Sequence, residues 1–193
     1  MKITACGALL SAQIAASSIP APEETPLGKT AGAVIGMAQA YADDGTIFHQ
    51  SGDVVNALAS YYYGFGWLHF GYASGLLVSS SPDTPACPFK DPCEQVPTAS
   101  DAQLEEKTAR YARLLDTARQ SVVVAPEPGT TAYEFSGQVL VIVSAYAAQG
   151  GKFLHRGNRE NALACFSYGH GWLDAGVRSG LFRITGERDL FTV

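Results

Sequence analysis

Asn161-Ala-Leu-Ala-Cys-Phe-Ser-Tyr-Gly-His-Gly-Trp-Leu-Asp-Ala-Gly-Val-Arg-Ser-Gly-Leu181 is written twice in this chain. Earlier by 105 residues stands Asn56-Ala-Leu-Ala-Ser-Tyr-Tyr-Tyr-Gly-Phe-Gly-Trp-Leu-His-Phe-Gly-Tyr-Ala-Ser-Gly-Leu76. The same offset aligns residues 32–77 with 137–182 without a gap, and 21 of those 46 positions are identical, which chance does not give. The chain is a tandem duplication, and each copy must be a structural unit.

Working outward from the repeated stretch, each unit reads as three helices. Gly52 and Gly157 stand where a left-handed helix end is needed, and Asp53 and Asn158 follow as caps for the next helix. A glycine followed by a capping residue makes a tight hairpin, so the repeated stretch is a third helix running antiparallel to a second. The second helix carries Val34, Ala38, Tyr41, Gly45 and Phe48 on one stripe, matched by Val139, Val143, Tyr146, Gly150 and Phe153. Thr25-Pro26 predicts its start in the first copy, and Thr131 with Glu134 fits a capping box in the second. The first helix is clearest in copy two, where Leu104, Thr108, Tyr111, Leu115, Ala118 and Val122 recur at steps of three and four, with Ser100 or Asp101 as cap. Its shorter counterpart covers residues 3–18. That stretch looks roughly like a secretory leader, but its repeat partner lies inside a charged helix, so a bundle helix is the better reading.

The third helix has to be buried nearly all round. In copy two one face carries Leu163, Phe166, Leu173, Val177 and Leu181, and another carries Cys165, Tyr168, Trp172, Gly176 and Ser179. A three-helix unit covers only one such face, so the second is expected to meet the other copy. The glycine pairs Gly71/Gly75 and Gly176/Gly180 are expected to let backbones approach. Residues 57–78 contain no Asp, Glu, Lys or Arg and are long enough to cross a bilayer. The matched helix carries His170, Asp174 and Arg178, which are costly in lipid, so no membrane span is expected. The predicted architecture is all-α: two tandem three-helix up-down units packed as a pseudo-symmetric six-helix bundle. Residues 1–80 form the first unit, 81–100 a Pro-rich linker, and 101–186 the second unit. Within the linker, Cys87 and Cys93 are best read as unrelated loop thiols.

Composition excludes more than it assigns. The 193 residues carry a formal charge of −5, so no basic field exists to hold nucleic acid. Four scattered cysteines make no disulfide framework, which points to a reducing, cytoplasmic setting. The common nucleotide, protease, hydrolase and zinc signatures are absent, so no cofactor or metal is expected. What remains is the polar set His170, Asp174 and Arg178 at i, i+4 and i+8, which with Tyr168 nearby makes the candidate binding residues. An Asp one turn from a His can orient its imidazole, and an Arg one turn further can hold an anion. The plainer alternative is an ion-pair ladder on the only solvated edge of the helix. Copy one holds Phe65, His69 and Ala73 at these positions, so a site, if there is one, belongs to copy two.

The run from Gly157 to Leu181, above all Tyr168-Gly-His-Gly-Trp-Leu-Asp-Ala-Gly, resembles the signature of the archaeal domain of unknown function 357. The resemblance covers residues 102–184, with copy one departing at Phe65, His69 and Ala73. It implies small three-helix proteins from archaea with no assigned activity, and it supplies no catalytic residues. The expected function is a non-catalytic binding or interaction module for a protein or small-molecule partner, with further self-association open. An enzyme or metal-dependent site on His170, Asp174 and Arg178 is the alternative. An RNA-associated role for Arg110, Arg113 and Arg119 is weaker, because Glu105, Glu106 and Asp116 are interspersed.

Overall fold

The computed structural model describes residues 1–81, 85–89 and 92–192, and six α-helices are found among them. The first copy contributes α1 (Ile3–Ala15), α2 (Pro26–Gln50) and α3 (Val54–Ala73). The second contributes α4 (Asp101–Gln120), α5 (Thr131–His155) and α6 (Arg159–Arg178). The chain is an all-α bundle of two repeated units. Two short antiparallel ladders accompany it: β1 (Ser17–Ser18) with β2 (Val78–Ser79), and β3 (Val122–Val124) with β4 (Phe182–Ile184). The pair Ser17–Ser79 and the pair Val122–Ile184 differ by 105 at both ends, so each ladder ties the exit of a first helix to the exit of a third. Strands this short leave no alternation in the sequence. They also shorten the expected first helix of copy one: Ser17 and Ser18 pair with β2, and α1 stops at Ala15.

The hairpins form as the local chemistry demands. Gly52 and Gly157 have φ of +83° and +75°, the left-handed end that a side chain would strain. The side chains of Asp53 and Asn158 accept from the amides of Asn56 and Asn161, each at 3.1 Å. The start of α5 departs from expectation. The cap is Thr130, whose hydroxyl accepts from the Tyr133 amide at 3.1 Å, and not Thr131 with Glu134. Thr130 is the repeat partner of Thr25, which accepts from Gly28 at 3.0 Å, and both backbones are extended at the cap. At α4 the short turn Thr98–Ser100 runs directly into the helix, so Ser100 makes no side-chain cap; Asp101 sits in the first turn, where the helix dipole favours it.

α3 and α6 pack on each other as closely as each packs on its own hairpin partner, and this contact joins the units. They cross at Gly66 and Gly171. A methyl group at Gly66 would lie 2.5 Å from the Tyr168 carbonyl oxygen, and one at Gly171 would lie 2.4 Å from that of Tyr63. The two glycines are repeat partners, and so are the two tyrosines, so the crossing is two-fold pseudo-symmetric. The glycine pairs expected to do this work do something else. Gly75 and Gly180, with φ of +75° and +77°, terminate α3 and α6, while Gly71 and Gly176 make room for Leu77 and Phe182 of their own units. The described part of the linker is a packed strap. Cys93 and Val96 are buried, and the Cys93 amide donates to the Asn161 side chain at 3.0 Å. Phe89 lies 4.9 Å from the ring of Tyr62, 5.0 Å from Tyr146 and 5.3 Å from Tyr168, bridging both units. Its prolines exclude ladders but not the burial of the apolar side chains between them.

Candidate functional site

His170, Asp174 and Arg178 share one helix yet occupy three environments. The expected solvated edge is wrong for the first two: His170 is 4% exposed and Asp174 is wholly buried. The cover is the C-terminal tail, a segment without a readable motif. A single turn, Arg188–Leu190, brings the Leu190 carbonyl to 3.0 Å from His170 Nε2. A carbonyl only accepts, so Nε2 carries the proton. The next residue, Phe191, sets its ring edge-on to His170 at 6.4 Å. The Thr192 amide donates to both Asp174 oxygens at 3.1 and 3.3 Å, and its hydroxyl donates to Oδ2. No hydrogen bond or ion pair links His170 to Asp174 among the described residues, so the i, i+4 spacing does not make a dyad.

The last partner of Asp174 comes from the other unit. Tyr63 Oη on α3 donates to Asp174 Oδ2 at 3.0 Å, and its ring lies 5.4 Å from His170. The pseudo-two-fold repeats this reach. Tyr168 Oη on α6 lies 2.9 Å from His69 Nδ1 on α3, and His69 is the repeat partner of Asp174. His69 Nε2 then faces the Gln13 carboxamide oxygen at 3.4 Å, so Nε2–H donates to Gln13 and Nδ1 accepts from Tyr168. Each tyrosine also rests on a second-helix tyrosine with centroids 4.4 Å apart, Tyr41–Tyr63 and Tyr146–Tyr168. Tyr168, expected as a ligand contact, is thus an inter-unit contact.

Burial dominates the electrostatics. It pushes both His69 and His170 down to about 4, so each is neutral near pH 7. Burial also raises the Asp174 carboxyl, against which Thr192, Tyr63 and the Arg178 charge pull downward. Arg178 itself is exposed at the end of α6 and forms no ion pair among the described residues, so the ladder His170–Asp174–Arg178 is not made. On α4, Arg119 pairs with Asp116 at 4.0 Å and donates to Ser144. Among the described residues no group of three or more His, Cys, Asp or Glu is placed to hold a metal.

The duplication is therefore present in fold, crossing and cross-unit bonds alike, and comparison with known families sees it too. The family described as Protein of unknown function (DUF357) matches residues 7–77 and again residues 110–182. The chain belongs to the DUF357 family. Both copies are DUF357 units, including the first, which lacks the His170 and Asp174 chemistry. No curated protein and no solved structure matches the chain. No described helix is long and apolar enough to cross a membrane.

One open feature lies on the pseudo-two-fold between the DUF357 units. A groove of about 680 Å³ is lined by Leu27, Phe70 and Leu76 from one unit and Ala132, Phe135 and Leu181 from the other. Leu27 with Ala132, and Leu76 with Leu181, are repeat partners. Phe70 and Phe135 meet in its floor at 5.7 Å, and Leu27 remains 57% exposed on its rim. The sequence pointed to the faces of α3 and α6; it gave no sign that the starts of α2 and α5 would stand apart and leave this gap.

Proposed function

We propose that this chain is a non-catalytic binding module that takes a small apolar molecule in the groove between its two DUF357 units. The observation that carries the reading is the groove itself. Its volume falls inside the range of small-molecule sites, roughly 300–1,000 Å³, and its walls are mainly apolar. Three polar side chains of α6, His170, Asp174 and Tyr168, support the same reading, because they are bonded inside the protein. Asp174 and His170 Nε2 hold the tail, and Tyr168 holds the other unit, so these groups serve the architecture. All four cysteines are free, which supports a reducing compartment such as the cytoplasm.

The test uses the full chain and Nile red, an uncharged apolar dye. Saturable binding with a rise in emission is expected, together with its loss in Leu27→Glu and Ala132→Glu at unchanged helicity and melting temperature. Both positions face the groove from the first turn of a helix, where an added carboxylate is compatible with folding. Emission that survives both substitutions would place the dye elsewhere and remove the groove as the ligand site.

A further inference from the structure

Arg178 is one of three arginines that converge. It lines a shallow depression of about 480 Å³ together with Arg183 of β4 and Arg188 of the tail turn, over an apolar floor of Val177, Phe182 and Ile184. All three arginines are exposed. Glu187 and Asp189 flank Arg188 in sequence, but no ion pair joins an acid to any of the three among the described residues; the two pairs found are Arg119–Asp116 and Arg159–Glu105. Taken singly, each arginine has an ordinary reason to be there. Arg178 in the last turn of α6 complements the helix dipole, and Arg183 points outward from a strand edge. Their convergence does not follow from those reasons. Only 13 of the 193 residues are Lys or Arg, and gathering three of them with no ion pair to any of the three among the described residues is unfavourable by itself.

The duplication provides an internal control. The repeat partners of Arg178, Arg183 and Arg188 are Ala73, Val78 and Asp83. The first unit makes the matching ladder and the matching helix end with Ala73 and Val78, so the fold does not need arginine at those places. We infer that the depression bounded by Arg178, Arg183 and Arg188 is an anion site for an organic phosphate. Guanidinium forks suit phosphate oxygens, and the Val177, Phe182 and Ile184 floor suits an attached apolar or aromatic body. The site is separate from the apolar groove. It is wired to the tail: Arg188 opens the turn that delivers Leu190 to His170 and Thr192 to Asp174. A phosphate held by Arg188 therefore tightens the Thr192–Asp174 latch.

The experiment is calorimetric titration of the full chain with adenosine monophosphate, inorganic pyrophosphate and inorganic phosphate, at low and at physiological salt. Saturable binding of adenosine monophosphate is expected, tighter than that of inorganic phosphate, weakening as salt rises. Arg183→Gln and Arg188→Gln should each weaken it about tenfold, and Arg156→Gln, at the opposite end of the α6 hairpin, should leave it unchanged. Hydrogen exchange at the Thr192 amide should slow on binding in the unmodified chain and not in Arg188→Gln. Equal loss in Arg156→Gln, or no saturable binding of any probe, overturns the site. Inorganic phosphate binding as tightly as adenosine monophosphate overturns the organic-phosphate assignment.

Discussion

The two units solve one problem with different chemistry. In each, a tyrosine on the third helix crosses the interface and finds a polar side chain at the same place on the other third helix. Tyr63 meets Asp174, and Tyr168 meets His69. Everything around the pair follows from that single exchange. A buried carboxyl wants donors, and it has the Tyr63 hydroxyl plus the Thr192 amide and hydroxyl from the tail. A buried neutral imidazole wants one donor and one acceptor, and Tyr168 and Gln13 supply them. The difference shows that the cross-unit tyrosine is the constant of this architecture and its partner is the variable. It also explains why the tail is ordered against α6: Asp174 needs what only the tail brings.

The largest expected effect tests the crossing. Gly66→Ala or Gly171→Ala places a methyl group against a backbone carbonyl that cannot swing away, and each should cost about 3 kcal/mol in urea unfolding. A cost under about 1 kcal/mol at either position would mean that the units do not meet there. Acid comes next. An imidazole held near 4 in the fold but free to titrate at about 6.5 when unfolded stabilises the protein fully above that value, and the contribution is lost as pH falls. The loss should reach about 2 kcal/mol per histidine by pH 5. Asp174, raised in the fold, acts the opposite way and gains as pH drops, so it offsets part of the loss at the acid end. His69→Gln and His170→Gln should each flatten the stability–pH curve between 6.5 and 4; a curve that neither changes would show that the imidazoles are not buried. The finest test separates the units. Tyr63→Phe takes a donor from a carboxylate and should cost about 2 kcal/mol, Tyr168→Phe about 1 kcal/mol, both by chemical denaturation. Equal costs would erase the distinction between the two sites.

Local features were legible in the sequence, and features made between distant segments were not. Gly52-Asp53 and Gly157-Asn158 announce their turns because conformation and capping are decided within four residues. The burial of α6 could be read on all but one edge because apolar residues occupy its other sides. His170 and Asp174 were also visible, but i, i+4 spacing says only that they share a face. Whether they bond to each other is decided by what lies above that face, here Leu190 and Thr192, two residues of a featureless tail. Phe89 was hidden in the same way, one aromatic among prolines whose value depends on Tyr62, Tyr146 and Tyr168 converging from three helices. The familiar four-residue spacing of Gly71 and Gly75 points away from the glycines at which the units approach, because Gly66 and Gly171 sit beside large aromatic residues.

The contact between Gly66 and Gly171 has the form of an isologous homodimer interface: each side offers the other the same surface. A DUF357 protein with one unit would have to find a second molecule to cover that surface, and its stability would then rise with its concentration. Joining the units through the strap replaces that search with a tether, giving an effective concentration on the order of millimolar for a short linker. This chain carries its own dimer partner, and the degree of its assembly does not depend on dilution.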